Sequence, residues 1–283
     1  MKNAPFGGED SNCVDYESSK IVIFPVPYDE FSTWQKGAHF GPDAILEASA
    51  HLELYDIDTD SEVHLEGIHT LRLPDLPKSP EELNKIIESN FLSFFRDKKF
   101  PVMLGGNHSI TPGAVQAAKS YFSDLNVLQL DAHGDLRESY NGSPFNHACI
   151  MARVKEVCPI VQVGIRSLDK VEFGKLDLSR VFFAKDIVSN YFWIDNVIEI
   201  LQPHVYVTID IDVFDPSIIP STGTPEPGGL DWYRVTALLR EVSKKRHVVG
   251  FDVVELMPNE CNKAPDFTAA KLVYQFLSYI FKH

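Results

Sequence analysis

Eight short apolar runs recur along the chain, at residues 21–24, 68–71, 101–104, 127–130, 160–165, 181–183, 205–209 and 248–254. Each has the length and branched composition of a buried strand bounded by turn residues. Stretches with helical spacing lie between them, at 42–50, 80–98, 112–121, 193–201, 232–245 and 267–281, and a further helix opens near His147. The start at Ser79-Pro80-Glu81-Glu82 has a serine cap, a proline in the first turn and acids where the helix dipole favours them. Pro42 opens its helix in a similar way. Residues 31–41 read as loop, and Pro74, Pro77 and Pro80 mark a connection. Strands alternating with helices predict an α/β fold: a single domain in three layers, with a mostly parallel eight-stranded sheet covered on both faces. The expected division is a polar lead-in over 1–20 and one domain over 21–283, because no linker, repeat or low-complexity tract divides the rest.

Composition removes some alternatives. The 283 residues are 44% hydrophobic and 23% charged, ordinary values for a globular protein. The formal net charge of −14 opposes nucleic acid or an anionic membrane as partner and mildly favours cationic ligands. Residues 1–8 lack the apolar run of a signal peptide, and 272–281 is interrupted by Gln275 and Ser278 and too short to span a bilayer. Cys13, Cys149, Cys158 and Cys261 show no C-x-x-C spacing, so buried free thiols in a cytoplasmic protein are expected.

The strand ends carry the chemistry. The run at 127–130 leads into Asp131-Ala132-His133-Gly134-Asp135, and residues two apart on an extended chain point the same way. Converging carboxylates and an imidazole repel or neutralise one another unless a cation sits between them; the alternative is a solvated acidic loop. The run at 205–209 ends in Asp210-Ile211-Asp212, again with period two. The run at 101–104 enters Gly105-Gly106-Asn107-His108, where two glycines permit a tight turn with close backbone approach. Open α/β sheets bind ligands at the carboxyl ends of their strands. His108, Asp131, His133, Asp135, Asp210 and Asp212 exceed what one tetrahedral ion needs and suit two divalent ions with shared carboxylates. Oxygen ligands with two imidazoles and no thiolate favour manganese over zinc.

The segments GGNHS (105–109), DAHGD (131–135), Asn146-His147-Ala148, TIDIDVFDP (208–216), STGTPEPGGL (221–230) and GFDVVEL (250–256) occur in this order. Together they resemble the motif set of the ureohydrolase (arginase/agmatinase) family, from about residue 20 to the C-terminus. Gly41-Pro42-Asp43-Ala44-Ile45 and Leu52-Glu53-Leu54-Tyr55-Asp56 are most similar to the agmatinase branch. The resemblance implies two Mn²⁺ per chain, with His108 and Asp135 on one ion, His133 and Asp212 on the other, and Asp131 and Asp210 bridging. It implies hydrolysis of a guanidinium to urea and an amine, with agmatine first among the substrates. Guanidinobutyrate, arginine, aminopropylagmatine and formiminoglutamate are rivals, and a non-catalytic metal-binding member is the reading outside enzymes. It also implies a homotrimer or homohexamer.

Two further residues take roles from the same resemblance. Glu255 would pair with the guanidinium, which suits a carboxylate able to accept two parallel N–H bonds; otherwise it is a surface acid after a strand. His147, preceded by the capping residue Asn146, would pass a proton to the departing amine; otherwise it is structural. The helix start disfavours charge on His147 and nearby acids favour it. Thr222-Gly223-Thr224-Pro225 and Gly228-Gly229 are expected to line the pocket. Asp252 is either a support for a ligand imidazole or a plain strand-end acid. His39, His51, His64, His69, His204, His247 and His283 have no clustered partners and read as structural or exposed. Residues 136–145 lack the asparagine, threonine and serine run of arginases. Glu138 and Glu226 would add acid at the mouth for a distal ammonium, while Arg137 would oppose it.

Overall fold

Every expected strand forms, and every pairing between them is parallel. In this computed structural model residues 5–9, 11, 14–30, 32, 34–73 and 75–282 are described. The extreme N-terminus, Cys13, Phe31 and Thr33 of the expected loop, Pro74 and His283 lie outside them. The strands are β1 (Ile21–Val26), β2 (Ile68–Thr70), β3 (Phe100–Gly105), β4 (Leu125–Leu130), β5 (Ile160–Ile165), β6 (Val181–Phe183), β7 (His204–Asp210) and β8 (His247–Val254). They form one sheet in the order β2-β1-β3-β8-β7-β4-β5-β6.

The helices are α1 (Gly41–Ser49), α2 (Pro80–Arg96), α3 (Thr111–Tyr121), α4 (Ile150–Lys155), α5 (Lys170–Phe173), α6 (Ala184–Ile187), α7 (Trp193–Ile200), α8 (Trp232–Lys245) and α9 (Ala264–Phe281). Ser79 caps α2 as its sequence predicts, accepting the Glu82 N–H. The one-turn helices α5 and α6 are too short to show an apolar period. A local signal did exist for α5, since Asp169 and Glu172 form a reciprocal capping box.

Alternation along the strands builds two cores, one on each face. Ile21, Ile23, Val102, Leu104, Val207 and Ile209 point into the layer containing α1, α7, α8 and α9. Val22, Phe24, Met103 and Tyr206 point into the layer containing α2, α3 and α4. The result is the three-layer α/β domain expected from the pattern. The segment before β1 is not free of it: Phe6 is fully buried in the first core, and its N–H donates to Thr70 Oγ1 at 3.0 Å.

Some expectations need correction. Cys149 and Cys158 are buried free thiols, but Cys261, in the turn between β8 and α9, is exposed. His204 and His247 are not isolated. Their rings lie 5.2 Å apart, Phe122 stacks on His204, and Asp124 pairs with it, because β7 and β8 begin side by side. His39 pairs with Asp29 at 3.1 Å. No helix among the described residues is long and apolar enough to cross a membrane.

Candidate metal centre and active site

The four central strands, β3, β8, β7 and β4, are neighbours, and being parallel they end at one edge. His108 follows β3, Glu255 follows β8, Asp210 ends β7, and Asp131 follows β4. All six side chains expected to ligate metal therefore meet in one place. Gly106 makes this possible, since a Cβ there would stand 1.9 Å from the Tyr28 carbonyl oxygen. The Asn107 side chain then accepts the Ser109 N–H and opens the turn carrying His108.

Two groups of ligand atoms result: His108 with Asp131 and Asp135, and His133 with Asp131 and Asp212. Nδ1 of His108 lies 3.2 Å from Asp131 Oδ2, 3.2 Å from Asp135 Oδ2 and 3.6 Å from Asp210 Oδ2. Nδ1 of His133 lies 2.9 Å from Asp212 Oδ2 and 3.6 Å from Asp131 Oδ1. Asp131 thus presents one oxygen to each group. His108 Nδ1 is buried and makes no hydrogen bond, although three carboxylates face it. That donor set, an imidazole lone pair among carboxylate oxygens, fits a divalent cation of the manganese type.

Neighbouring polar groups hold this geometry. His108 Nε2 meets Thr208 Oγ1 at 2.8 Å, and Thr208 donates to Asp252 Oδ1 at 2.6 Å. Tyr206 and Thr111 donate to the other Asp252 oxygen. Asp252 is therefore linked through Thr208 to the His108 imidazole and is not a plain strand-end acid. On the other side Gln162 donates to Gln129, which donates to Asp131 Oδ2 at 2.7 Å. Sequence reasoning missed these glutamines; the available signal was an amide in the middle of an otherwise apolar strand.

Crowding sets the charges. Burial and the Asp131 charge push Asp135 up to about 7, and burial with Asp212 and Asp131 holds Asp210 well above the usual carboxylate range. Burial opposes charge on His133, but Asp212 and Asp131 outweigh it and raise it to about 12. These groups must shed protons to ligate a metal, so binding releases protons and strengthens as pH rises. Mn²⁺ affinity should increase steadily from pH 6 to pH 8, measured by calorimetry in buffers of different ionisation enthalpy. A flat profile without proton release would contradict this.

A cavity of about 200 Å³ opens onto the cluster, and His147 and Glu255 both line it. His147 is lowered to about 4, by burial first and then by His108 and His133, so its ring is neutral near pH 7. Burial thus outweighs the acids that would have favoured charge. Of the loop expected to line the cavity only Gly223 and Thr224 do; Thr222 is buried, Pro225 is off the wall, and Gly228 and Gly229 turn their N–H groups to Asp215. Glu138 does not: its carboxylate turns to Arg153 at 3.0 Å and Lys175 at 2.7 Å. Glu226 accepts from Ser167 Oγ, behind the wall that Ser167 forms. Besides Glu255 and the clustered Asp135, Asp210 and Asp212, the acids on the wall are Asp169 and Glu172, both paired with Arg137. The loop residues Ser32, Trp34 and Gln35 also reach the cavity, and nothing in their local sequence pattern marked them.

The arginase family model matches residues 19–278. The chain belongs to the arginase family. The N(1)-aminopropylagmatine ureohydrolase of Synechocystis is 38% identical over 96% of this chain and 92% of its own length. The agmatinase of Pyrococcus horikoshii is 36% identical over 92% of both. The crystal structure of agmatine ureohydrolase from Thermoplasma volcanium superposes with a TM-score of 0.89 at 34% identity, covering 100% of this chain and 96% of that one. As an arginase-family chain with relatives named agmatinase and N(1)-aminopropylagmatine ureohydrolase, this protein is a hydrolase of guanidino C–N bonds.

Proposed function

We propose that the protein is a dinuclear manganese amidinohydrolase that releases urea from agmatine or from a longer polyamine bearing the same guanidinium. The observation that carries this is the meeting of six ligand side chains with Glu255 and His147 at one cavity. His108, Asp131 and Asp135 would hold one ion, and His133, Asp131 and Asp212 the other. Asp210, its Oδ1 accepting the Asp212 N–H, would add a second shared carboxylate. When bound, the ions supply Lewis acidity and a nucleophilic water for the guanidinium carbon. Glu255 orients the planar cation through paired N–H bonds. His147, half-buried and neutral, takes up a proton and gives it to the departing amine.

Charge on the wall supports a cationic tail. One guanidinium, Arg137, faces two carboxylates, Asp169 and Glu172, which leaves that side net negative. N(1)-aminopropylagmatine is the second reading, favoured by the relative of that name and by a cavity wall that includes the exposed Trp34. Urea release should be compared across agmatine, N(1)-aminopropylagmatine, arginine and guanidinobutyrate with added Mn²⁺. Either cationic-tailed substrate should exceed arginine in kcat/KM by about a hundredfold, the scale set by a mismatched buried charge. Parity with arginine or guanidinobutyrate would overturn this specificity.

The shuttle has its own test. His147→Asn should lower kcat about a hundredfold with little change in KM, at the lower end of general acid–base contributions. Added imidazole should restore part of it. An unchanged kcat would remove His147 from the reaction.

A further inference from the structure

Trp34 is 76% exposed, yet it lines the same cavity as the metal-ligand cluster. An indole left in water at a cavity wall gives up burial that it would gain elsewhere in the fold. Its loop is nevertheless fastened on both sides of it. Asp29 accepts from Ser32 Oγ and from the Gly37 N–H at 2.6 Å, and it pairs with His39. Asn107, next to His108, donates to the Glu30 carbonyl at 2.8 Å and to Ser32 Oγ at 3.3 Å. The turn that carries a metal-binding side chain therefore also holds the loop that presents the indole. These anchors lie on either side of Trp34, while the ring itself has most of its surface uncovered.

We propose that Trp34 is a specificity-determining residue whose ring covers the distal cation of the substrate tail. This rests on the ureohydrolase reading above and extends it from the guanidinium to the other end of the molecule. A protonated amine over an indole face gains a cation–π interaction, and the apolar linker gains contact. A carboxylate-tailed guanidine gains no such attraction, since the negative face of the ring repels an anion. The acids on the Arg137 side and the indole on the loop side would then act on the same charge from two directions.

The test uses the manganese-loaded protein and two substrates that differ in that charge alone. Agmatine carries a terminal ammonium, and pentylguanidine has a methyl group in its place. Trp34→Ala should raise the KM for agmatine about tenfold, within the range of a partly desolvated cation–π pair, and leave kcat within about twofold. For pentylguanidine the KM should change less than about threefold, and Trp34→Phe should recover most of the loss on agmatine. Equal KM increases for both substrates, or no increase for either, would overturn the proposal. A change in sedimentation with equal losses on both would place the indole in a contact between subunits instead. Wild-type urea release from agmatine tests the functional reading separately: a protein inactive on both guanidines overturns that reading and this inference with it.

Discussion

Asp131→Ala should abolish metal retention and lower kcat/KM by about a thousandfold or more, beyond the 10–100-fold expected from removing a supporting partner. The reason is position. Asp131 belongs to both groups of ligand atoms, with Oδ2 toward His108 and Oδ1 toward His133. Its Oδ1 also accepts the His133 N–H at 2.6 Å, so the side chain shapes the turn that brings His133 in. Asp135→Ala offers the comparison, because Asp135 belongs to one group only. That variant should keep about one ion under the two-ion reading, whereas Asp131→Ala should keep almost none. Elemental analysis after gel filtration would measure both. The fold should survive in each case, since both cores are built from apolar side chains and include neither carboxylate. Asp131→Ala with full metal content and near-wild-type turnover would defeat the shared-ligand assignment.

Much of this arrangement was legible because the information is local. Apolar runs mark where the strands lie, and so where Asp131 and Asp210 sit at their ends. The expected period of two does not continue to Asp212, because β7 ends at Asp210 and Ile211–Val213 form a 3-10 turn that the Asp210 side chain caps. Parallel pairing then forces the strand ends to one edge, so carboxylates and imidazoles distant in sequence converge without specific foresight of contacts. Asp135 is a partial exception. It sits in the left-handed region with φ of 53°, so it reaches the cluster by a bend and not by continuing the strand. What remained hidden depends on side-chain direction across long sequence separations. Glu138 precedes a cavity wall in sequence, yet Lys175 and Arg153, from other elements, draw it outward. The sequence left Asp252 between two readings, because its link to His108 runs through Thr208 on the neighbouring strand. Trp34 lies in a loop whose course is set by Asn107, a partner far along the chain. Such contacts leave no period in the sequence.

Glu255→Gln should lower kcat/KM for the guanidino substrate about a hundredfold, comparable to losing one preorganised electrostatic contact in a dry site. Glu255 is held with unusual firmness for a residue after a strand. Its backbone sits at φ 66°, its N–H donates to the Gly106 carbonyl at 2.7 Å, and its Oε1 accepts the His108 N–H at 2.7 Å. A non-glycine residue in the left-handed region costs free energy, and the surrounding bonds must offset it. The carboxylate is thereby fixed beside the ligand cluster and at the cavity wall. Burial and the charges of Asp212 and Asp135 push it up to about 8, and a guanidinium placed against it would favour the charged form again. Glutamine keeps the volume and an oxygen for the His108 N–H, so His108 should not move and metal content should stay at the wild-type level. What it loses is the charge and one of two acceptors facing the cation. KM should therefore rise and kcat fall together, because the guanidinium is both held less tightly and aimed less well. Glu255→Asp would keep the charge but withdraw it by one methylene, and should recover KM more than kcat. Wild-type kinetics in Glu255→Gln, at unchanged metal content, would remove Glu255 from substrate recognition and leave its strained backbone without a functional account.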